Sequence, residues 1–296
     1  MTINSISFKF IVTVFGADGP EGHSVALMLL QMGTFKVRPL VTDPNSDLAQ
    51  KLQAMGTEIV TVDLDSPSSI QEALKGASRC YARTITDFSI HCNSSYKEIQ
   101  YGYRIANACK ENNIKHVVFH GSHHVHRRFG LPARHMDAKA CINDYMNELG
   151  LPKTEIITPY YYENLLTAIH YNFLDSLLLF FPSSIPMGET AMDSMSVKQV
   201  GSIVASLFQN SQTWIGKSCP VSTERLTIEE YISVKTFVDS STIPGSQDLG
   251  NMFQFWKKGS QKMNIAMTAT LCPEIKTFNQ WTLKLFAFHL HNCFLC

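Results

Sequence analysis

The chain has 296 residues with 25 basic and 25 acidic side chains, a formal net charge of zero, and so lacks the basic footprint of a nucleic-acid binder. Its length suits one α/β domain with a smaller appended lobe. The eight cysteines follow no regular framework, and Met1 to Ser5 show no charged region leading into an apolar core, so neither a disulfide scaffold nor a secretory signal is expected. A reducing setting follows, the cytoplasm with the nucleus as a second compartment. The most apolar run, Leu177 to Phe181, is cut by Pro182 and is far too short to span a membrane.

In chain order, an apolar strand over residues 10–14 runs into Gly16, Gly19 and Gly22, spaced three apart, and then a helix over 25–32. This is the phosphate-cradling turn of a dinucleotide fold: a sharp turn, a close backbone approach to pyrophosphate, and close packing of helix on strand, with the helix N-terminus as the positive dipole end. Further strands are expected at 35–41, 58–62, 77–84 and 115–120, and further helices at 48–55, 69–74 and 96–112. Five βα units in succession imply an α/β fold with a doubly wound parallel sheet. Ligands of such sheets sit beyond the carboxyl ends of the strands, where Thr42, Asp43, Asp63, Leu64, Thr84 and His120-Gly121-Ser122 would share one crevice. The NAD(P)-binding Rossmann domain is placed at residues 8–157. After 157 the pattern loosens, with short helices at 197–208 and 227–234, and residues 158–296 are read as the appended lobe.

The glycine turn, Asp63-x-Asp65, His135-x-x-x-Lys139, the block Pro159-Tyr160-Tyr161-Tyr162-Glu163-Asn164-Leu165-Leu166, Met192-Asp193-x-Met195-Ser196-Val197 and Asp248-Leu249-x-Asn251-Met252-Phe253 together resemble the NmrA-like family, in its redox-sensor branch, over roughly residues 8–282. The resemblance implies an atypical short-chain dehydrogenase/reductase fold that binds NADP(H), senses its level without turnover, and acts through signalling or transcription-regulatory protein partners, with a homodimer allowed. By the same resemblance Gly16, Ala17, Asp18, Gly19, Pro20, Glu21 and Gly22 hold the pyrophosphate, and Thr42 and Asp43 face the adenosine ribose. Asp63 and Leu64 flank the adenine. Thr84, Ile85, Thr86, Lys139, Tyr161, Tyr162, Glu163 and Asn164 lie on the nicotinamide side, Lys139 towards the ribose. A reductase of this superfamily carries a serine and a Tyr-x-x-x-Lys where this chain has His120 and His135, with Lys139 kept. A missing positioned acid forfeits roughly a hundred- to ten-thousandfold in rate, so no catalytic residue is assigned. The alternative is an NAD(P)H-dependent reductase of quinones or small carbonyls using His135 or a bound water as donor. Tyr231 and Lys235 repeat the Tyr-x-x-x-Lys spacing too far downstream to serve that chemistry.

Several positions depart from the family pattern. Thr42 replaces the arginine that grips the adenosine 2′-phosphate, no basic residue lies between Arg38 and Lys51, and Asp43 and Asp47 add repulsion. NADP(H) binding should therefore weaken and NAD(H) become an option, Asp43 either accepting from the ribose or merely opening a turn before Pro44. Arg83 falls inside the fourth expected strand, where it either reaches the crevice to meet a cofactor phosphate or, the reading preferred from sequence, weakens the sheet. The stretch from Tyr231 to Asp248 is short for the family and the last dozen residues do not resemble its ending. The tail residues His289, His291, Cys293 and Cys296 lie too close together for a zinc module, and His116, His120, His123, His124 and His126 read as a polar rim, so no metal is expected.

Overall fold

In the computed structural model, residues 10–86, 94–164, 187, 189–226, 246–258, 263–278 and 280 are described. The first half alternates strand and helix: β1 Ile11–Phe15, α1 Pro20–Met32, β2 Lys36–Val41, α2 Asp47–Ala54, β3 Val60–Thr61, α3 Pro67–Leu74, β4 Arg79–Ala82, α4 Ser94–Glu111 and β5 His116–His120. Then come α5 Val125–Phe129, α6 Arg134–Glu148, β6 Lys153–Ile157, β7 Tyr160–Tyr161, β8 Met192–Met195, a 3₁₀ turn at Val197–Gln199, α7 Val200–Gln209, α8 Ser211–Trp214, β9 Ser218–Pro220, β10 Glu224–Leu226, α9 Ser246–Lys257 and α10 Ile265–Leu271. The main sheet has seven strands in the order β3-β2-β1-β4-β5-β6-β9, every neighbouring pair parallel. This is the doubly wound architecture, whose order reverses between β1 and β4 and so opens a crevice there.

The period-two pattern of the strands divides the core into two layers. Val12, Val14, Tyr81 and Val118 pack under α1 and α7 with Val25, Leu29, Ile203 and Leu207. On the other face Phe15, Cys80, Ala82, Val117 and Phe119 pack against Ile70 and Leu74 of α3, Ile105 of α4, and Ile142 and Met146 of α6. Alternate residues of one strand thus serve opposite helical layers, as burial on both faces requires. A third cluster, with Val125, Met136, Met192, Phe253 and Phe255, joins α5 and α6 to β8 and α9 beside the crevice.

Three features differ from the sequence reading. β3 is two residues long rather than five, its ladder with β2 limited to Leu40–Val60 and Val41–Thr61. β6 was not foreseen, because Lys153, Thr154 and Glu155 mask its buried character. Thr154 donates to the Trp214 carbonyl at 2.8 Å and Glu155 accepts from Ser218 Oγ at 3.0 Å. Residues 200–220, placed with the appended lobe from sequence, return to the main fold: β9 is its seventh strand, and α7 packs on α1. Gly201 permits that packing, since a Cβ there would stand 2.2 Å from the Ser24 carbonyl oxygen, and its N–H donates to Ser24 Oγ at 3.0 Å. What remains apart is a small sheet in the order β10-β8-β7. The apolar run at 177–181, the helix expected at 227–234, Tyr231, Lys235 and the tail cysteines and histidines lie outside the described residues. No helix among the described residues is long and apolar enough to cross a membrane.

Candidate functional site

At the end of β1 the chain turns through Gly16, whose φ of 66° lies in the left-handed region that favours glycine. Gly19 N–H closes the turn on Gly16 O at 3.0 Å, and Gly19 then caps α1 with Pro20 in the first turn, a pre-organised helix start. Gly22 lies against the turn itself, because a Cβ there would stand 2.1 Å from Gly16 O and 2.8 Å from Phe15 O. Asp18 clips this turn to β2: its Oδ2 accepts from Thr42 N–H (2.7 Å), Thr42 Oγ1 (2.8 Å) and Asp43 N–H (2.9 Å). Asp43 Oδ1 accepts from Asn45 N–H at 2.9 Å, an Asx turn, and Asp63 does the same with Asp65 N–H at 2.8 Å. Leu64 packs against the α3 side of the core. Arg38, in the middle of β2, turns away from the crevice and donates to the carbonyls of Ala73 and Lys75 at 2.9 and 2.8 Å.

The preferred expectation for Arg83 is corrected. β4 ends at Ala82, still paired with Phe119 of β5, and Arg83 lies one residue beyond, its charge compensated. Its side chain crosses the glycine turn so closely that Nη1 stands 2.9 and 2.8 Å from where Cβ atoms on Gly16 and Gly19 would be. Its Nε approaches Glu21 Oε2 at 2.7 Å. Glu21 also accepts from Tyr161 Oη at 2.7 Å and has His120 Nδ1 at 3.3 Å, while Thr158 Oγ1 bonds both His120 Nε2 (2.8 Å) and Tyr161 Oη (2.9 Å). Burial pushes the Glu21 carboxyl up, but His120 and Arg83 outweigh it and hold the group well below the ordinary carboxylate value. Burial likewise opposes the Arg83 charge and Glu21 overrides it, so the pair is ionised.

On the other side of the crevice, α6 presents Lys139 to Glu98 of α4. Lys139 Nζ is bonded to Glu98 Oε1 and donates to the Thr84 carbonyl at 3.1 Å. The Thr84 and Thr86 hydroxyls each donate to Glu98 at 2.7 Å, and Ile85 between them is exposed. Burial raises the Glu98 carboxyl, yet Lys139 and the threonines bring it below the ordinary value. The sequence reading missed Glu98. Its signal was there: residues 98, 102, 105 and 109 fall on one stripe of α4, and an acid on the buried stripe of a helix needs a partner.

The Tyr160-to-Asn164 block divides between two sites. Tyr161 faces Glu21, whereas Tyr162 Oη donates to Glu224 at 2.5 Å and its ring meets Phe278 edge-on. The Glu163 carboxylate accepts from Ser196 Oγ at 2.5 Å and Val197 N–H at 2.9 Å, capping the 3₁₀ turn, and Asn164 is exposed. Nor do the histidines form one rim. His116 is buried between Ser211 and Thr154, both at 2.8 Å; His123 packs on Phe255; His124 pairs with Asp144 at 2.9 Å. Among the described residues no group of three or more His, Cys, Asp or Glu is placed to hold a metal ion.

His135, one turn before Lys139, has Nε2 3.4 Å from the Met252 sulfur of α9. Burial and the Lys139 charge lower it from 6.5 to about 4. Burial first, then Arg79 for His116 and Arg128 for His123, lower those two to about 4 as well. Each binds its proton more readily in the unfolded chain, so their contribution to stability is complete above pH 6.5 and is lost as the pH falls towards 4. Urea unfolding between pH 7 and 4.5 should show a steep loss of stability that His116→Gln makes shallower. A flat profile would refute the buried neutral assignment.

Comparison with known proteins places this arrangement. The NmrA-like family model matches residues 9–238. The chain belongs to the NmrA-like family. An NmrA-like family domain-containing protein of Dictyostelium discoideum is 25% identical over 246 residues, 78% of each chain. NmrA-like family domain-containing oxidoreductases of Penicillium ochrochloron and Aspergillus campestris are 31% and 36% identical, over 53% and 40% of this chain and only 48% and 35% of their own length. Among solved structures, NmrA, a negative transcriptional regulator, superposes with a TM-score of 0.75 at 17% identity, covering 95% of this chain and 97% of that one. NmrA has also been solved in complex with NAD (TM-score 0.74, 16% identity, covering 96% and 97%). The NADPH-dependent quinone oxidoreductase QOR2 of Escherichia coli, complexed with NADPH, gives 0.73 at 15% identity, covering 93% and 99%. At these identities the likeness speaks to the fold.

Proposed function

We propose that this NmrA-like protein binds a nicotinamide dinucleotide in the crevice between the glycine turn and Lys139, and acts without turnover as a redox-sensor-like regulator. Signalling or transcription-regulatory proteins are its partners, in the cytoplasm and nucleus. The observation that carries the reading is the turn itself: Gly16, Gly19 and Gly22 bring backbone N–H groups and the α1 N-terminus to the switch point of the sheet, where dinucleotides bind. That NmrA has been solved with NAD and with NADP supports the ligand class. The pyrophosphate faces residues 16–22, the adenosine ribose faces Thr42 and Asp43, and Asp63 and Leu64 flank the adenine. Thr84, Lys139 and Tyr161 line the nicotinamide side. Since Thr42 carries no charge and Arg38 is engaged elsewhere, NAD(H) should compete well with NADP(H).

Calorimetric titration with NAD, NADH, NADP and NADPH tests this, alongside Thr42→Arg. Asp18 keeps its backbone donors at 42 and 43 in the variant, so the strand end should hold. The expected result is little preference in the wild type and a gain of roughly ten- to a hundredfold for NADPH in the variant, the worth of one charge-assisted bond. Failure of all four to bind either protein would remove the reading.

The names of the fungal relatives and of QOR2 support a second reading, an NAD(P)H-dependent reductase of quinones or small carbonyls. His135 argues against it as donor, since an imidazole lowered to about 4 holds no extra proton near neutrality. Cofactor oxidation against a quinone panel decides: turnover lost in His135→Ala and Lys139→Ala would establish the reductase.

A further inference from the structure

The Arg83 guanidinium does not line the pyrophosphate cradle so much as fill it. With Nη1 within 2.9 Å of the Cβ positions of both Gly16 and Gly19, it takes up the space that the missing side chains of the turn would leave for a phosphate group. Glu21 puts a carboxylate into the same place, in the first turn of α1, where the helix dipole favours an anion. The two charges cancel. Tyr161 Oη bonds the other carboxylate oxygen and His120 stands beside the one that faces Arg83, and both members of the pair are largely shielded from solvent, the Arg83 and Glu21 side chains 12% and 7% exposed.

The pair is also incompletely bonded. Arg83 Nε and Nη1 and Glu21 Oε2 are buried without a partner in hydrogen-bond geometry, although Nε and Oε2 are in ionic contact. A guanidinium held by charge, with Nε and Nη1 outside hydrogen-bond geometry, keeps donors that an anionic ligand could take up.

We propose that Glu21 and Arg83 form an internal plug in the pyrophosphate site, so that a dinucleotide enters only when the pair opens and the guanidinium leaves the glycine turn. This rests on the dinucleotide-binding reading above. It adds a gate: the apparent dissociation constant is the intrinsic one divided by the fraction of molecules that are open, and whatever weakens the pair tightens binding.

The test compares the full-length wild type, Glu21→Gln, Arg83→Val and Glu21→Gln/Arg83→Val for NADH and NADPH binding, by nicotinamide fluorescence and stopped flow. The double variant clears the turn of both bulk and charge and is expected to bind at least about tenfold more tightly than the wild type, the gain for a site open in a tenth of molecules or fewer. Glu21→Gln should fall between them. Arg83→Val alone should gain less than the double variant, because Glu21 is left facing the pyrophosphate. In the wild type the observed rate should level off with ligand concentration as opening becomes limiting, and in the double variant it should rise linearly. Equal affinities with linear rates in both would overturn the plug while leaving dinucleotide binding intact. Loss of wild-type binding in Arg83→Val would overturn it too, by making Arg83 a phosphate ligand. Absence of binding in all four folded proteins would instead remove the dinucleotide reading, and the plug with it. Should the double variant fail to fold, the near-isosteric Glu21→Gln carries the same two readouts.

Discussion

Alanine at Gly22 is expected to destabilise the protein by about 3 kcal/mol or more and to abolish dinucleotide binding. The added methyl would stand 2.1 Å from Gly16 O and 2.5 Å from Gly16 C, and neither is the end of a flexible side chain that can swing aside. Either α1 moves off β1, opening the layer that holds Val25 and Leu29, or the turn deforms and the cradle is lost. Gly130→Ala is the control. That glycine has φ 70° but nothing within 4 Å of its would-be Cβ, so only backbone strain of about 1 kcal/mol applies. Thermal unfolding of the two variants checks the contrast, and a Gly22→Ala protein as stable as Gly130→Ala would show that the turn is not under this constraint.

The second large effect is expected at Lys139. Lys139→Met leaves the Glu98 carboxylate buried with two threonine hydroxyls and no cation, a loss of about 3–5 kcal/mol at pH 7. The sign of its pH dependence is distinctive. In the wild type the Glu98 carboxyl is held below 4.5, so its contribution is complete above that value and is lost as the pH falls through the native one. Without Lys139, burial raises the carboxyl above its unfolded value, and the variant recovers part of its stability as the pH falls from 7 to 5. Glu98→Gln/Lys139→Met should recover most of it at both values, since no buried charge remains. Urea unfolding at pH 7 and 5 distinguishes these outcomes; an equal deficit in Lys139→Met at both pH values would mean that Glu98 is not ionised.

The fold was legible where one physical signal dominated. The apolar β1, the glycine turn and the alternation through β5 identify themselves, because burial on both faces fills β1 and the middle of β5 with Val, Ile and Phe, Thr13 apart. β6 and β9 were illegible because Thr154 bonds the Trp214 carbonyl and Glu155 bonds Ser218 across the chain, and a run of polar residues does not announce such partners. In the site, the crevice-facing positions followed from strand ends, but which of them are engaged did not. Asp18 and Thr42 are bound to each other, Tyr162 serves the small sheet and Glu163 the 3₁₀ turn that follows β8, and Glu98 meets Lys139 across 41 residues of sequence. Arg83 shows the limit most clearly. Its cost as a strand residue was readable, yet its pairing with Glu21, 62 positions earlier, depends on where β4 stops.

Hydrogen exchange of the full-length protein with and without saturating NADH tests the central claim most directly, because it reads the site and not only the event of binding. The account predicts slower exchange in peptides covering residues 16–24, 82–86 and 134–141, the turn, the Arg83 segment and the Lys139 face. Binding that left these peptides unchanged and protected another part of the chain would contradict it.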